Sequence, residues 1–197
     1  FGGWVPGSPP LIFPQTIGKI MQPGSHLLLQ MHYGGTDMEQ SDQTSINIFF
    51  SEETIEREVI TYMMSPLQLS EPFYIPANEV VSFHGTKYLS NDISLISTIP
   101  HAHLLGKSWL VYATSGDMQD TIPIIHIPDW DFHWQGVFTY PNMVHLPAGY
   151  TIHAIAEYDN TTSNSNNPNS PPLPMTFGDF TTDEMYVIFF QFVNYLP

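Results

Sequence analysis

The chain has 197 residues, 42% of them hydrophobic, and carries 19 acidic against 4 basic residues, a formal net charge of −15. So few lysines and arginines argue against a nucleic-acid or anionic-membrane partner, because neither polyanion could be neutralised. The sequence contains no cysteine, which excludes disulfides, thiolate metal sites and cysteine nucleophiles. The acidic surface suits an exported protein, so we expect a secreted, periplasmic or cell-surface location.

The predicted elements are short strands. Residues 1–24 are rich in proline and glycine and predict an extended arm. Beyond the arm, β-branched and aromatic runs recur between turn signals at 26–33, 44–51, 58–64, 80–86, 93–99, 108–114, 121–127, 136–140, 150–158 and 184–195. This spacing predicts an all-β fold, an antiparallel β-sandwich with jelly-roll or Greek-key connections. No apolar run approaches the length of a membrane span, so none is expected.

Polar segments separate some of these runs. Residues 51–58 are the only stretch whose composition favours a helix. Residues 35–43 are interpreted as a domain boundary. Residues 160–174, "NTTSNSNNPNSPPLP", predict an exposed loop without regular structure, and their first three residues form a glycosylation sequon. The acidic pairs within "SEE" and "TTDE" are expected to lie in solvated turns.

Two histidines stand one residue apart in "STIPHAHLLGKSW", residues 97–109. In a strand, residues i and i+2 share a face, so His101 and His103 would present adjacent imidazoles, a spacing that suits chelation of one metal ion. A pair of surface or turn histidines is the alternative. Without cysteine, one of the nine methionines could supply a third ligand, and a His₂Met set favours copper, particularly Cu(I). Spacing alone does not choose among the methionines, most of which are expected to fill the core.

The remaining histidines are scattered along the chain. A buried, hydrogen-bonded histidine is the favoured interpretation for each of them: His26, His32, His84, His126, His133, His145 and His153. None of the common nucleophile-elbow or phosphate-loop motifs is present.

Four motifs follow one another in the chain: GSHLLLQMHYG (24–34), HAHLLGK (101–107), YDN (158–160) and TTDEM (181–185). In this order they resemble the copper type II, ascorbate-dependent monooxygenases, the family of peptidylglycine α-hydroxylating and dopamine β-monooxygenases. The resemblance is to the C-terminal catalytic domain and the tail of the N-terminal one. The stretch WDFHWQ (130–135) looks closer to bacterial relatives.

The resemblance implies a catalytic copper held by His101, His103 and Met185, with O₂ and ascorbate or another one-electron donor as co-substrates. It also implies that His32 is one ligand of a second, electron-transferring copper. The family's other ligands to that copper include a His-His pair, which this sequence lacks. We therefore expect an N-terminal copper domain or a partner chain to supply them.

The same resemblance divides the chain. Residues 1–35 are expected to be an extended arm and the tail strand of a preceding N-terminal domain. Residues 36–197 are expected to form the C-terminal copper-binding jelly-roll domain.

The resemblance also bears on the substrate. Where the peptide-acting members carry Arg, Asn and Tyr to hold a substrate carboxylate, this chain has Ile99, Val187 and Phe189. We therefore expect hydroxylation of an aliphatic C–H bond in an uncharged or apolar small molecule. Two alternatives remain: a copper-binding or electron-relay module without oxygenase activity, and a structural jelly-roll domain of an extracellular assembly.

Overall fold

The computed structural model describes residues 2–4, 8–31, 33 and 37–197. In this part of the chain the regular structure is β, with one 3-10 turn at Pro66–Gln68 and no α-helix. No helix among these residues has the length and apolar character needed to cross a membrane.

The strands are numbered in chain order: β1 (Ile17–Gly18), β2 (Arg57–Glu58), β3 (Ile60–Met64), β4 (Tyr74–Ile75), β5 (Val80–Tyr88), β6 (Ile93–His101), β7 (Gly106–Thr114), β8 (Thr121–Ile127), β9 (Phe138–Leu146), β10 (Thr151–Asp159), β11 (Met175–Thr176) and β12 (Val187–Asn194). The all-β prediction is confirmed.

Two four-stranded antiparallel sheets pack together as a β-sandwich, which confirms the predicted architecture. One sheet has the order β5-β10-β7-β8 and the other the order β3-β12-β6-β9. Most neighbouring strands are not consecutive in the chain, which is the pattern of Greek-key connections. Two short pairs, β1 with β2 and β4 with β11, lie outside these sheets.

The burial pattern of the strands follows from their places in the sandwich. In β10, Ala154 and Ala156 point into the core, while His153 and Glu157 alternate with them on the outer face. By contrast β6 is buried on both faces, with six consecutive buried residues at its start. A second apolar cluster explains this, because Ile17 and Val59 pack with Ile96 and Val193 outside the main core.

Three local predictions are wrong. The described residues within 26–33 and 44–51 form no strand, and Leu28 and Phe49 are more than nine-tenths exposed. Residues 51–58 form no helix and end in β2. An isolated apolar run gains little from extension without a partner strand, and in the described chain these runs have none. The two sheets of the sandwich begin at β3, after residues 37–58, which are mostly exposed, and the division at residue 35 stays a prediction.

Candidate metal centre

The histidine pair lies where β6 ends. His101 is the last residue of β6, and His103 follows in the turn that leads into β7. Their ring centroids are 5.1 Å apart with planes at 87°. His103 is 5% exposed, whereas His101 is half-buried. The two imidazoles are therefore neighbours at one end of the sandwich.

The tautomer of His101 follows from its partner Gln135. The Gln135 side-chain NH₂ donates to the Phe132 carbonyl at 2.8 Å, so its amide oxygen is the atom that faces Nδ1 of His101. An amide oxygen only accepts, and Nδ1 must therefore carry the proton. The lone pair of this ring is then on Nε2, the nitrogen through which His101 would ligate a metal.

His103 has the same arrangement with a backbone partner. Its Nδ1 lies 3.1 Å from the Asp183 carbonyl oxygen, which can only accept, so Nδ1 again carries the proton. Burial lowers the pKa of His103, against the raising influence of Asp183, and the neutral form that binds metals is favoured. Phe132 packs edge-on against the ring at 6.0 Å. In the neutral form of each ring, the lone pair is therefore on Nε2.

The backbone of Met185 lies close to that of His103, because one carboxylate binds both. Its neighbour Glu184 accepts hydrogen bonds from the His103 and Met185 amides through one carboxylate oxygen, the latter at 2.7 Å. The other oxygen accepts from the Leu105 amide at 2.9 Å. Two residues further on, Val187 opposes His101 across the β6–β12 ladder. One carboxylate therefore ties the histidine turn to the methionine segment, some eighty residues apart in the chain.

Glu184 corrects the prediction of a solvated acidic turn. Its side chain is fully buried at 0% exposure. Burial raises the pKa of this carboxyl to about 7, against the lowering effect of the amides that donate to it. Gln135 and Glu184 are the two residues of the centre to which the sequence analysis gave no role. The motifs that contain these two residues, WDFHWQ and TTDEM, are the sequence features that could have pointed to them.

The donor set fits a copper ion. Two imidazoles with Nδ1 engaged, close in the fold to a thioether-bearing residue, match the preference of copper for nitrogen and soft sulfur ligands. Among the described residues there is no group of three or more His, Asp or Glu side chains that could hold a metal. A site here therefore depends on Met185. The fourth predicted ligand, His32, lies outside the described residues.

The sheet face beside His101 is apolar. Cross-strand partners share a face, and Phe189 opposes both Ile99 on β6 and Met63 on β3. Met63 is 49% exposed, so part of this row is open to solvent. Ile99, Val187 and Phe189 therefore adjoin the pair as an apolar strip.

The asparagine-rich loop supports the same end of the sandwich. Residues 160–174 contain no strand, as predicted, but the loop is exposed only in part. Asn160 is fully buried and donates to the Pro76 and Leu173 carbonyls, so its amide nitrogen is not accessible for glycosylation in the folded chain. Asn164 donates to the Leu104 carbonyl at 3.1 Å and so braces the turn that carries His103.

A scan of the chain against protein-family models finds no match, and a search of curated proteins finds no significant relative. The relationship to the copper monooxygenases is therefore a hypothesis that depends on the motifs and on the geometry described above.

Proposed function

We propose that this chain is the catalytic domain of a copper-dependent monooxygenase that hydroxylates an aliphatic C–H bond. His101, His103 and Met185 would hold the copper. One observation carries the proposal: both imidazoles have Nδ1 at an acceptor, and Glu184 ties the turn that carries His103 to the backbone of Met185. A histidine ligand whose second nitrogen is held by an outer partner is the usual arrangement at metal sites.

Each residue of the centre has a defined task. Gln135 and the Asp183 carbonyl fix ring orientation and tautomer. Glu184 holds the two ligand-bearing segments in register. The thioether of Met185 would favour the cuprous state, and when bound the copper supplies one-electron redox chemistry and activation of O₂.

The apolar strip supports an uncharged or apolar small molecule as substrate. Ile99, Val187 and Phe189 offer no charge to a substrate carboxylate, whereas they can pack against hydrocarbon. The reaction class, R–H with O₂, two electrons and two protons giving R–OH and water, requires a reductant. Ascorbate or another one-electron donor would supply it, directly or through a second copper on an N-terminal domain or partner chain. We place the reaction outside the cytoplasm, at a secreted, periplasmic or cell-surface location.

Copper binding and oxygen uptake test this proposal together. We expect one Cu(I) per chain by competition with a chromophoric chelator, and ascorbate-dependent O₂ uptake by the loaded protein. His101→Ala should abolish both, and Met185→Leu should weaken Cu(I) binding while keeping side-chain volume. The matched control is Met118→Leu, a change at an exposed methionine outside the centre.

Two results would overturn the oxygenase proposal. Copper bound at this centre with no oxygen uptake under ascorbate would indicate a binding or electron-relay module. Cu(I) affinity unchanged in both His101→Ala and Met185→Leu would indicate a structural domain that lacks the chemistry.

A further inference from the structure

A second histidine pair lies on the opposite sheet, remote from the candidate centre. His84 on β5 and His153 on β10 are on the outer face of the β5-β10-β7-β8 sheet, since their neighbours Phe83 and Ala154 point into the core. Nε2 of His84 lies 2.9 Å from Nδ1 of His153. His84 is exposed and His153 half-buried, so the two nitrogens are at the protein surface.

The His153 ring is held on its other sides. Its Nε2 lies 2.9 Å from the Thr114 hydroxyl on β7, which can accept a hydrogen bond from Nε2–H. The lone pair of the ring is then on Nδ1, the nitrogen that faces His84. The Tyr112 ring stacks on the imidazole at 5.0 Å and 20°. Burial, and to a lesser extent repulsion from His84, lowers the pKa of His153, so this ring is neutral near neutral pH.

The separation of the two nitrogens suits a shared ion. Two imidazole nitrogens bound at about 2.0–2.1 Å at right angles are about 2.8–3.0 Å apart, whereas tetrahedral ligands are about 3.3–3.4 Å apart. The observed 2.9 Å is that of a hydrogen-bonded pair and also of two adjacent ligands in a tetragonal site. When the His84 proton moves from Nε2 to Nδ1, the hydrogen-bonded pair becomes a pair of metal-binding nitrogens, and the protein loses no proton.

We propose that His84 and His153 form a second metal site, a bidentate surface chelate for a tetragonal divalent ion, with Cu²⁺ as the preferred occupant. Right-angled nitrogen ligands favour Cu²⁺ or Ni²⁺ over Zn²⁺, and the general order of divalent affinities places copper first. Solvent would fill the other positions. The net charge of −15 attracts cations to the surface. This proposal does not depend on the proposed oxygenase function.

Titration of Cu²⁺ into the full chain tests this site. The measurement uses a His101→Ala background, so that the candidate centre does not compete, with calorimetry for affinity and electron paramagnetic resonance for nitrogen ligation. We expect one Cu²⁺ with a two-nitrogen signal. His84→Ala should weaken its binding at least about 100-fold, and Thr114→Val, which removes the outer partner of His153, about tenfold.

His126→Ala is the matched control, because His126 is an exposed histidine on β8 of the same sheet. In the sheet register, Ile155 and Leu110 lie between His84 and His126 on the two intervening strands. The two histidines are therefore three strand spacings apart, or about 14 Å. Equal affinities of the His84→Ala and His126→Ala variants would overturn the proposal, because copper would then bind histidines without regard to the pair. Tighter binding of Zn²⁺ than of Cu²⁺ would also contradict it. His84 is exposed, so its variant is expected to fold.

Discussion

The two histidine pairs differ in what holds them. The rings of His101 and His103 are each held through Nδ1 by another part of the chain, at one end of the sandwich. His84 and His153 bond each other on an open sheet face. The first pair therefore has the orientation of both rings imposed by distant parts of the fold. The second is a local surface arrangement that an ion can reorganise. The difference predicts a strong dependence of the first pair on distant residues.

The largest effect is expected at Glu184. Replacing Glu184 by Ala leaves three backbone amides, those of His103, Leu105 and Met185, without their acceptor in a buried place. At about 1–3 kcal/mol for each unsatisfied group, and with partial relaxation, we expect a loss of roughly 3–5 kcal/mol in the free energy of unfolding. Urea denaturation measures it. Glu53→Ala, at an exposed glutamate, is the control. A Glu184→Ala protein as stable as this control would refute the role of the carboxylate.

A direct contrast of the pairs comes from the stability of the metal-free protein. His103→Ala removes a buried ring, its bond to the Asp183 carbonyl and its contact with Phe132, and should cost about 2 kcal/mol. His84→Ala removes an exposed ring and should leave the free energy of unfolding within roughly 0.5 kcal/mol of the parent. Thermal and urea unfolding give both values. Equal losses would mean that the fold does not distinguish the two pairs.

Ring orientation gives a smaller and more selective effect. Gln135→Leu removes the oxygen that fixes Nδ1 of His101 and should lower Cu(I) affinity at the candidate centre about 10–100-fold. Gln135→Glu keeps an accepting oxygen and should restore most of that affinity. Gln119→Leu, an exposed substitution in the β7–β8 hairpin, should leave the affinity unchanged. If Gln135→Leu binds Cu(I) as the parent does, Gln135 does not position the ring.

Much of the fold could be predicted because period-two patterning is local. The strands predicted at 80–86, 93–99, 108–114 and 150–158 coincide with β5, β6, β7 and β10. The same pattern failed at 26–33 and 44–51, since a strand also needs a partner, which local sequence does not reveal. β9 extends past its predicted end at residue 140 through Pro141, which is tolerated because β9 is an edge strand.

The candidate centre could be predicted only in part. The spacing of His101 and His103 indicated neighbouring rings, but the residues that orient them are 34 and 80 positions away. Glu184 looked like a solvated acid because local composition does not show that two amides from a distant turn, those of His103 and Leu105, donate to it. The His84–His153 pair was interpreted as two unrelated histidines, since strand order and register, which bring them together, are not encoded in local spacing.

X-ray absorption of the Cu(I)-loaded chain tests the central claim most directly. The account predicts a copper environment of two imidazole nitrogens and one sulfur, with the sulfur contribution lost in Met185→Leu and retained in Met118→Leu. A Cu(I) spectrum without sulfur in the parent protein, or one whose sulfur contribution persists in Met185→Leu, would contradict it.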